Sequence, residues 1–442
     1  MSNKLNADSA LQLCERSFLA ALSCFSLPEK LPTDRRWLIA HSGGIDSQLL
    51  LYLAARILPK SSLLVVYVNH HLQEGADQWA EFSSQQAKKY GLKHLVLDVY
   101  PKSRSENAAR DERYQAFENL IEQGDVMLFG HHADDQAETL LYRMLRGTGL
   151  SGLAGMPVSR ALGKGSLLRP LLKCTREQIE SAAESLTLKC VNDPSNESDV
   201  YDRNYLRNKV FPLLKARWPM LVERWQDNAE LLQDTDKLLE IYLDADLELC
   251  SSAPELFELG PWSEMPELKQ TAVLRHWIYR ALGLRLNTKT LEKIISDVIQ
   301  SQLDAEPEFI LGDVCLRRFQ NRLFLVREFK EPVINIMVTA NGEYNLGDGV
   351  LQIQGLPGSR TLKILRRQGG ETCCPVGRKT KSVKKILQES SIPPWHRKQW
   401  PLVYCDDKLI AVPGVCLCQG SGIEEKPDFS VLWRPFSLSD NS

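Results

Sequence analysis

An apolar run leads directly into a glycine-rich turn in the sequence Leu38-Ile39-Ala40-His41-Ser42-Gly43-Gly44-Ile45-Asp46-Ser47. The pattern predicts a strand, a tight turn and then a helix. Glycine lets the backbone approach an anion closely, and the N–H groups at the start of a helix point toward that anion. We call residues 42–47 the phosphate loop and predict that all of them bind phosphate, namely Ser42, Gly43, Gly44, Ile45, Asp46 and Ser47.

The phosphate loop lacks the lysine of the Gly-x-x-x-x-Gly-Lys-Ser/Thr motif that many nucleotide-binding enzymes use. It carries an acidic residue, Asp46, instead. Carboxylates together with phosphate oxygens are typical ligands of Mg²⁺. We therefore expect a magnesium ion to supply the charge that the missing lysine would bring. The alternative is an ordinary turn between a strand and a helix.

Apolar strands and helix-length segments alternate through the first half of the chain. The predicted strands lie at residues 36–41, 63–70, 94–99 and 126–130, and the predicted helices at 48–58, 78–90, 106–123 and 134–145. Near-continuous apolar strands separated by helices indicate βαβ units and a parallel sheet covered on both faces. For the helix at 106–123, Ser105 is the expected N-cap and Gly124 follows the end.

The pattern changes after Phe211-Pro212 to helices, predicted at residues 220–249, 264–282 and 288–300. Strands are predicted again at 315–319, 323–326, 333–338, 351–354 and 361–365. We therefore predict the α/β class with three domains: a parallel-sheet domain at 1–215, a mainly helical domain at 216–332 and a small α+β domain at 333–442.

The composition is that of an ordinary globular protein, with 442 residues of which 43% are hydrophobic and 25% charged. This excludes a disordered or collagen-like chain. No apolar run is long enough to cross a bilayer and the polar start has no signal-peptide pattern, so we expect a cytoplasmic protein. The eleven cysteines include no paired Cys-x-x-Cys motifs, which predicts reduced, buried thiols.

Positive charge is concentrated near the end of the chain, although Lys and Arg total 54 against 56 Asp and Glu. Residues 360–398, which we call the basic window, contain eleven basic and two acidic residues. Such segregation suits a module that binds the phosphates of a nucleic acid. The alternative is a solvated basic face. The residues that we expect to contact the polyanion are Lys379, Lys381, Lys384, Lys385 and Arg397.

A second polar segment follows another predicted strand, in the sequence Gly130-His131-His132-Ala133-Asp134-Asp135-Gln136-Ala137-Glu138-Thr139. Asp135 and Glu138 are three residues apart, so they share one face of the predicted helix. Their position at the carboxyl end of a strand directs them toward the same crevice as the phosphate loop. The residue types fit three roles: a divalent metal site, with Asp46 and Asp134 as ligands; a site for a cationic substrate; or a helix cap.

The motif Ser-Gly-Gly-x-Asp-Ser resembles the PP-loop of the N-type ATP pyrophosphatases, which cleave ATP between the α and β phosphates and have an adenine nucleotide alpha hydrolase-like fold. Residues 130–139 resemble the second signature of one branch, the tRNA(Ile)-lysidine synthases. Further segments match that branch in order: Asn107-Ala108-Ala109-Arg110 with Arg113-Tyr114, residues 146–156, Arg169-Pro170-Leu171-Leu172, Asn192-Asp193-Pro194-Ser195-Asn196 and Arg203-Asn204-x-x-Arg207. Residues 384–402 resemble the C-terminal domain of these enzymes more loosely.

The resemblance implies a ligase that attaches L-lysine to C2 of the wobble cytidine of the CAU-anticodon isoleucine tRNA. ATP is consumed, Mg²⁺ is required, an adenylated cytidine is the intermediate, and lysidine, AMP and pyrophosphate are the products. It implies catalytic roles for Asp46, Arg110, Arg113, Asp135 and Glu138, lysine binding by Asp135, Glu138 and Arg203, and tRNA binding by the five residues of the basic window. A homodimer is left open.

Other classes fit less well. The enzymes that insert sulfur into cytidine or uridine of tRNA are the nearest alternative, but their two-thiocytidine branch uses paired Cys-x-x-Cys ligands that this sequence lacks. Glutamine-dependent relatives carry an amidotransferase domain, often with a nucleophilic cysteine at the chain start, where this sequence has Met1-Ser2. A nucleotide sensor or a simple tRNA-binding module would not require the acidic segment beside the phosphate loop.

Overall fold

The computed structural model describes residues 7–23, 35–73, 75–103, 106–192, 201–302, 305–327, 335–356, 360–419 and 428–436. The predicted N-cap Ser105 and residues 193–196 of the predicted motif lie outside these ranges. The chain divides into two compact units, Met1–Leu239 and Glu240–Ser442. The three-domain division at residues 215 and 332 stays a prediction.

The first unit is built around a six-stranded sheet. Its strands are β1 Trp37–Ala40, β2 Leu63–Asn69, β3 Lys93–Asp98, β4 Val126–Leu128, β5 Ser159–Leu162 and β6 Gly165–Leu168. They lie in the order β3-β2-β1-β4-β6-β5. Every pairing is parallel except that of β5 with β6, so the predicted parallel sheet is confirmed and carries one antiparallel edge strand.

Helices cover both faces of this sheet. The helices of this unit are α1 Ala7–Leu22, α2 Ile45–Ile57, α3 Ala76–Tyr90, α4 Glu106–Leu120, α5 Ala133–Arg146, α6 Leu150–Leu153, α7 Arg176–Ser185, α8 Asp202–Tyr205 and α9 Phe211–Arg217. Successive residues of β1 face opposite layers: Ile39 packs with α1, α2 and α7, whereas Leu38 packs with α4. This alternation is why the strands are apolar throughout.

The chain order of the sheet reverses at β1, because β2 pairs with one side of it and β4 with the other. Ligands of open α/β sheets bind at such a point, beyond the carboxyl ends of the strands. The phosphate loop follows β1 and the segment of residues 130–139 follows β4. The topology therefore brings the two polar segments to one crevice, as predicted.

Several elements of the first unit were not among the predicted ones, namely the helices α1, α6, α7, α8 and α9 and the β5–β6 hairpin. The two strands of the hairpin have four residues each and contain Gly165 and the polar Ser159, so they give little period-two signal. Helix α10, Leu221–Cys250, runs through the division between the units.

The second unit begins with α11 Leu259–Ser263, α12 Glu267–Leu282 and α13 Thr288–Ile294, which pack on a four-stranded sheet. Its strands are β7 Leu256–Glu258, β8 Glu308–Leu311, β9 Val314–Phe319 and β10 Arg322–Arg327, in the order β7-β10-β9-β8. The predicted strands at 315–319 and 323–326 are confirmed as β9 and β10, which pair antiparallel.

The rest of the second unit is rich in strands. These are β11 Asn335–Val338, β12 Gly342–Asn345, β13 Gly349–Gln354, β14 Leu362–Arg366, β15 Thr372–Cys373, β16 Lys381–Ser382, β17 Pro401–Cys405, β18 Lys408–Val412, β19 Cys416–Leu417 and β20 Ser430–Pro435. Two short helices, α14 Val383–Glu389 and α15 Pro394–Arg397, complete it. The predicted α+β class of this part of the chain is confirmed.

The sequence also predicted that no segment crosses a membrane and that the cysteines are reduced. No helix among the described residues has the length and hydrophobicity needed to cross a membrane. Cys373 and Cys418 form a disulfide, so the prediction of reduced thiols is wrong for this pair. The cause is that Pro375, after β15, forms a β-bridge with Cys418, after β19, which sequence spacing does not reveal.

Candidate active site

The phosphate loop is packed tightly between β1 and α2. Gly43 has a φ of +85°, and a Cβ there would lie 3.4 Å from the Phe82 ring. A Cβ on Gly130, at the end of β4, would lie 3.2 Å from the backbone of Asp46. Glycine at both positions thus gives the loop its left-handed turn and its close approach to β4.

The start of α2 is free to receive an anion. Its N-cap is Gly44, which has no side chain to occupy the first N–H groups of the helix. The Ser47 hydroxyl is buried and donates to the Gly44 carbonyl at 2.8 Å, while Ser42 is exposed with its Oγ 3.4 Å from the Ser47 Oγ. The loop therefore presents backbone N–H groups and the Ser42 hydroxyl at the mouth of the crevice.

The acidic segment begins helix α5 with a capping box. The His132 side chain accepts from the Asp135 N–H, and the Asp135 carboxylate accepts from the His132 N–H at 3.1 Å. Asp134, Asp135 and Glu138 are all buried. Asp135 thus caps the helix, which is one of the roles that the sequence left open, but the cap uses only one of the two Asp135 carboxylate oxygens.

Two arginines face Asp135 and Glu138. Arg207 donates from Nε and Nη2 to the two Glu138 oxygens, each at 2.7 Å, and from Nη2 to Asp135 Oδ1 at 2.8 Å. Arg203 Nε lies 3.6 Å from Glu138 Oε2. Burial alone would raise the pKa of Asp135, but His132, His131, Arg203 and Arg207 hold it below its usual range. This group of two carboxylates and two guanidinium groups is called the carboxylate–arginine cluster below.

Asp134 does not share in this cluster. Its carboxylate accepts from the Arg176 backbone N–H at 2.7 Å and pairs with the Lys215 ammonium group. Both oxygens are therefore used to hold α7 and α9 in place. Asp134 is buried with both oxygens bonded within the protein, which disfavours its assignment to Mg²⁺, and that assignment stays a prediction.

Asp46 lies between the loop and the acidic segment. His132 Nε2 is 3.7 Å from its Oδ1, and Arg176 Nη1 donates to both of its oxygens at 2.9 and 2.8 Å. Burial raises the pKa of Asp46, and the charges of His132 and Arg176 oppose that rise. One imidazole thus links the phosphate loop to Asp135, whose Oδ2 is 3.5 Å from the same His132 nitrogen.

His131 is held as a neutral ring. It stacks on Phe129 with centroids 5.4 Å apart, and its Nδ1 lies 3.3 Å from Arg169 Nε. Burial lowers the pKa of His131 to about 3. Since Arg169 donates to Nδ1, the proton of the neutral ring belongs on Nε2, and His131 serves here to fix Arg169 and not to accept a proton.

The two arginines predicted on α4 lie in different surroundings. Arg110 stacks over the Tyr114 ring at 5.4 Å and lines a cavity of about 370 Å³ that Arg203 also lines. Arg113 lies near His70 and His131, where burial lowers the pKa of both rings and the charge of Arg113 adds to that effect. The cavity continues along the glycine-rich loop at 147–152 and along α5, which adds Arg143 and Arg146 to its lining.

The basic window has two kinds of residue in the structure. Lys379, Lys384 and Lys385 are exposed. Lys381 pairs with Glu389 at 2.7 Å, and Arg397 is half-buried with its guanidinium 5.4 Å above the Phe319 ring. Outside the five predicted residues, Arg366 is buried and pairs with Asp348.

Three residues of the site were missed by sequence reasoning: Arg176, His132 and Lys215. Arg176 follows Thr175, which forms a capping box with Gln178 at the start of α7. That pattern was readable and would have placed Arg176 at a helix start. Nothing in the sequence pattern indicates that α7 approaches the phosphate loop or that α9 approaches Asp134, since both contacts depend on tertiary packing.

Three family models match the chain in order: the PP-loop domain at residues 15–214, the TilS substrate binding domain at 257–324 and the TilS substrate C-terminal domain at 362–433. The chain is 35% identical over 426 residues to a tRNA(Ile)-lysidine synthase of Coxiella burnetii, covering 90% of this chain and 94% of that one. It is 35% identical over 419 residues to one of Pseudomonas fluorescens, covering 90% and 93%.

Proposed function

The chain belongs to the family of tRNA(Ile)-lysidine synthases, and from that membership we propose how its residues attach lysine to the wobble cytidine of isoleucine tRNA. The observation that carries the residue assignments is the linkage of two half-sites through His132. The phosphate loop with Asp46 lies on one side of this imidazole and the carboxylate–arginine cluster on the other. An enzyme with two successive steps at one cytidine needs such neighbouring half-sites.

The phosphate loop serves the first step. The cytosine O2 attacks the α-phosphorus of ATP, the bond between the α and β phosphates breaks, and pyrophosphate leaves. Backbone N–H groups at the start of α2 and the Ser42 hydroxyl hold the phosphates. Arg110 lies in the cavity beside Arg203, where its positive charge suits the phosphates of an incoming anticodon nucleotide.

Mg²⁺ fits Asp46 and not Asp134. The Asp46 carboxylate is partly accessible, lies at the phosphate loop and has Arg176, whose side chain is 41% exposed, as its main partner. A magnesium ion bound there by Asp46 and ATP phosphates would supply positive charge to the leaving pyrophosphate. Both Asp134 oxygens are already used by Arg176 N–H and Lys215.

The carboxylate–arginine cluster serves the second step, in which the lysine ε-amine displaces AMP from C2. Free lysine carries an α-ammonium and an α-carboxylate, and the cluster offers both complementary charges. Asp135 and Glu138 suit the ammonium group, while Arg203 and Arg207 suit the carboxylate. Arg207 now bridges the two carboxylates, so it also keeps the buried acids paired until lysine binds.

The basic window completes the proposal by binding tRNA away from the reacting atoms. Lys379, Lys384 and Lys385 are exposed and suit phosphate contacts, whereas Lys381 and Arg397 have partners within the protein. A cytoplasmic location, where tRNA and ATP meet, and a homodimer belong to the same proposal. Light scattering of the purified protein tests the second of these.

Lysine transfer tests the function directly. Purified protein is incubated with ATP, Mg²⁺, radiolabelled L-lysine and unmodified CAU-anticodon isoleucine tRNA, and label in tRNA, AMP and pyrophosphate are counted. We expect label with one AMP and one pyrophosphate per lysine, and neither product with Asp46→Ala. AMP formation with no lysine transfer would overturn the lysine assignment and return attention to tRNA thiolation.

A further inference from the structure

Arg176 is an unassigned cation at the phosphate loop. Its Nη1 donates to both oxygens of Asp46, at 2.9 and 2.8 Å. Asp46 is the second residue of α2, where the free N–H groups of the helix begin. The guanidinium therefore lies where the phosphates of ATP would arrive, and it occupies the carboxylate that a nucleotide-bound metal ion would need.

The backbone of Arg176 is fixed while its side chain has a second partner. The N–H donates to the buried Asp134 carboxylate at 2.7 Å, and Thr175 caps the helix that begins at Arg176. Arg176 Nε donates to Glu180 Oε1 at 2.6 Å, and both side chains are partly exposed, at 41% and 47%. The guanidinium can thus leave Asp46 without leaving its helix or losing every partner.

A phosphate chain competes well for this guanidinium. Asp46 offers a single negative charge, whereas the β and γ phosphates of ATP together carry several and present oxygens that match the arginine fork. We infer that Arg176 is a phosphate-binding residue that exchanges Asp46 for the β and γ phosphates of ATP, and that this exchange frees Asp46. The inference rests on the proposed ATP-dependent function and adds a residue to it.

Pyrophosphate binding without any metal isolates the exchange. Full-length protein in EDTA is titrated with inorganic pyrophosphate by calorimetry, for the wild type, Arg176→Gln, Asp46→Asn and the double variant. We expect Arg176→Gln to weaken binding about tenfold when Asp46 is replaced by Asn, and clearly less when Asp46 is present to hold the guanidinium. Asp46→Asn alone should tighten binding, since Arg176 is released and a negative charge is removed.

The wild type, the two single variants and the double variant form a double-mutant cycle, which separates the exchange from simpler explanations. Equal effects of Arg176→Gln in both backgrounds would overturn the exchange, and tighter pyrophosphate binding by Arg176→Gln would overturn phosphate binding by Arg176. Lys173→Gln is the matched control, because it removes a nearby charge that pairs with Glu230 at 2.8 Å. If Lys173→Gln lowers pyrophosphate affinity as much as Arg176→Gln does, the effect comes from the loss of any nearby positive charge, and the assignment is overturned.

Folding and function are checked separately. If Arg176→Gln lowers the midpoint of thermal unfolding sharply, Arg176→Lys is used in its place, with Asp46 present and with Asp46→Asn. Lysine keeps the positive charge but lacks the two parallel donors of the guanidinium. A loss of pyrophosphate affinity of about threefold in Arg176→Lys supports the assignment, and an unchanged affinity overturns it. Pyrophosphate binding needs neither lysine nor tRNA, so failure of the exchange and failure of lysidine formation by the wild type are distinguishable.

Discussion

The carboxylate–arginine cluster and the basic window are both charge-rich, but they use charge differently. In the cluster, the buried Asp135 and Glu138 each contact an arginine within 3 Å. In the basic window, Arg366 is buried and paired, whereas Lys384 and Lys385 point into solvent. The run of charges in the basic window is therefore a mixture of structural and surface residues, whereas the short motif after β4 forms a site.

The reason lies in the backbone. Asp135 and Glu138 follow β4, which ends beside β1, so the sheet topology places these two carboxylates at the crevice, and the arginines reach them from residues 202–210. The basic window spans β14 to α15, and successive residues on its strands face opposite sides. Arg366 consequently points inward, where it donates to the Gln399 and Leu346 carbonyls at 2.8 and 3.0 Å.

The largest expected effect is on stability, and it compares a buried with an exposed residue of the basic window. Arg366→Ala leaves the half-buried Asp348 without its cation and the Gln399 and Leu346 carbonyls without their donor, which should lower the free energy of unfolding of the second unit by roughly 3–5 kcal/mol. Lys384→Ala removes an exposed charge and should change it by less than about 0.5 kcal/mol. Urea unfolding of both variants measures the difference. Equal stabilities would contradict the division into structural and surface charges.

The disulfide gives an effect of similar size. Cys373 and Cys418 close a loop with a sequence separation of 45 that contains most of the basic window. Loop-closure entropy predicts that Cys418→Ser lowers the free energy of unfolding by about 4 kcal/mol under oxidising conditions. Cys374→Ser is the matched control, because this neighbouring thiol is not bonded. A similar loss in both variants, or no loss in either, would refute the cross-link.

Acid should affect the two units unequally. Burial lowers the pKa of His41 and His70 to about 4 and that of His131 to about 3 in the first unit. His396 in the second unit has a pKa of about 4, also lowered by burial. Between pH 6.5 and these values the unfolded chain binds protons that the folded chain does not, so stability falls as pH falls.

Each such histidine contributes up to about 1.4 kcal/mol per pH unit in that interval. We expect the first unit to lose stability more steeply than the second between pH 6.5 and 5. Calorimetric scans at several pH values, with the two transitions assigned by fragment-specific hydrogen exchange, measure both slopes. A steeper loss in the second unit would contradict the assignment of neutral buried histidines to the first.

The smallest effect concerns the exposed lysines. If Lys384 and Lys385 contact tRNA phosphates, the double change to Gln should weaken binding severalfold and lower the slope of log affinity against log salt by roughly 0.7–0.9 per contact. Lys381→Gln should change the slope less, because Glu389 already neutralises this lysine. Filter binding over a range of salt concentrations checks this. An unchanged slope in the double variant would exclude both lysines from the interface.

Much of the fold was predictable because its signals are local. The strand before Ser42, the glycine-rich turn and the helix after it are contiguous, and parallel topology then places residues 130–139 opposite them. The partners of these residues were not predictable. Arg176 and Lys215 reach Asp46 and Asp134 from α7 and α9, which lie far away in sequence, so the protein partners of Asp134 were not foreseen when it was assigned to magnesium.

The central claim is that the two half-sites serve two successive steps. Glu138→Gln tests it, because Glu138 does not cap α5 and its loss leaves the phosphate loop intact. In single-turnover reactions with ATP, labelled lysine and isoleucine tRNA, adenylation of tRNA should stay within about threefold of the wild type while lysine transfer falls about a hundredfold. An equal loss of both steps, or no loss of lysine transfer, would contradict the claim.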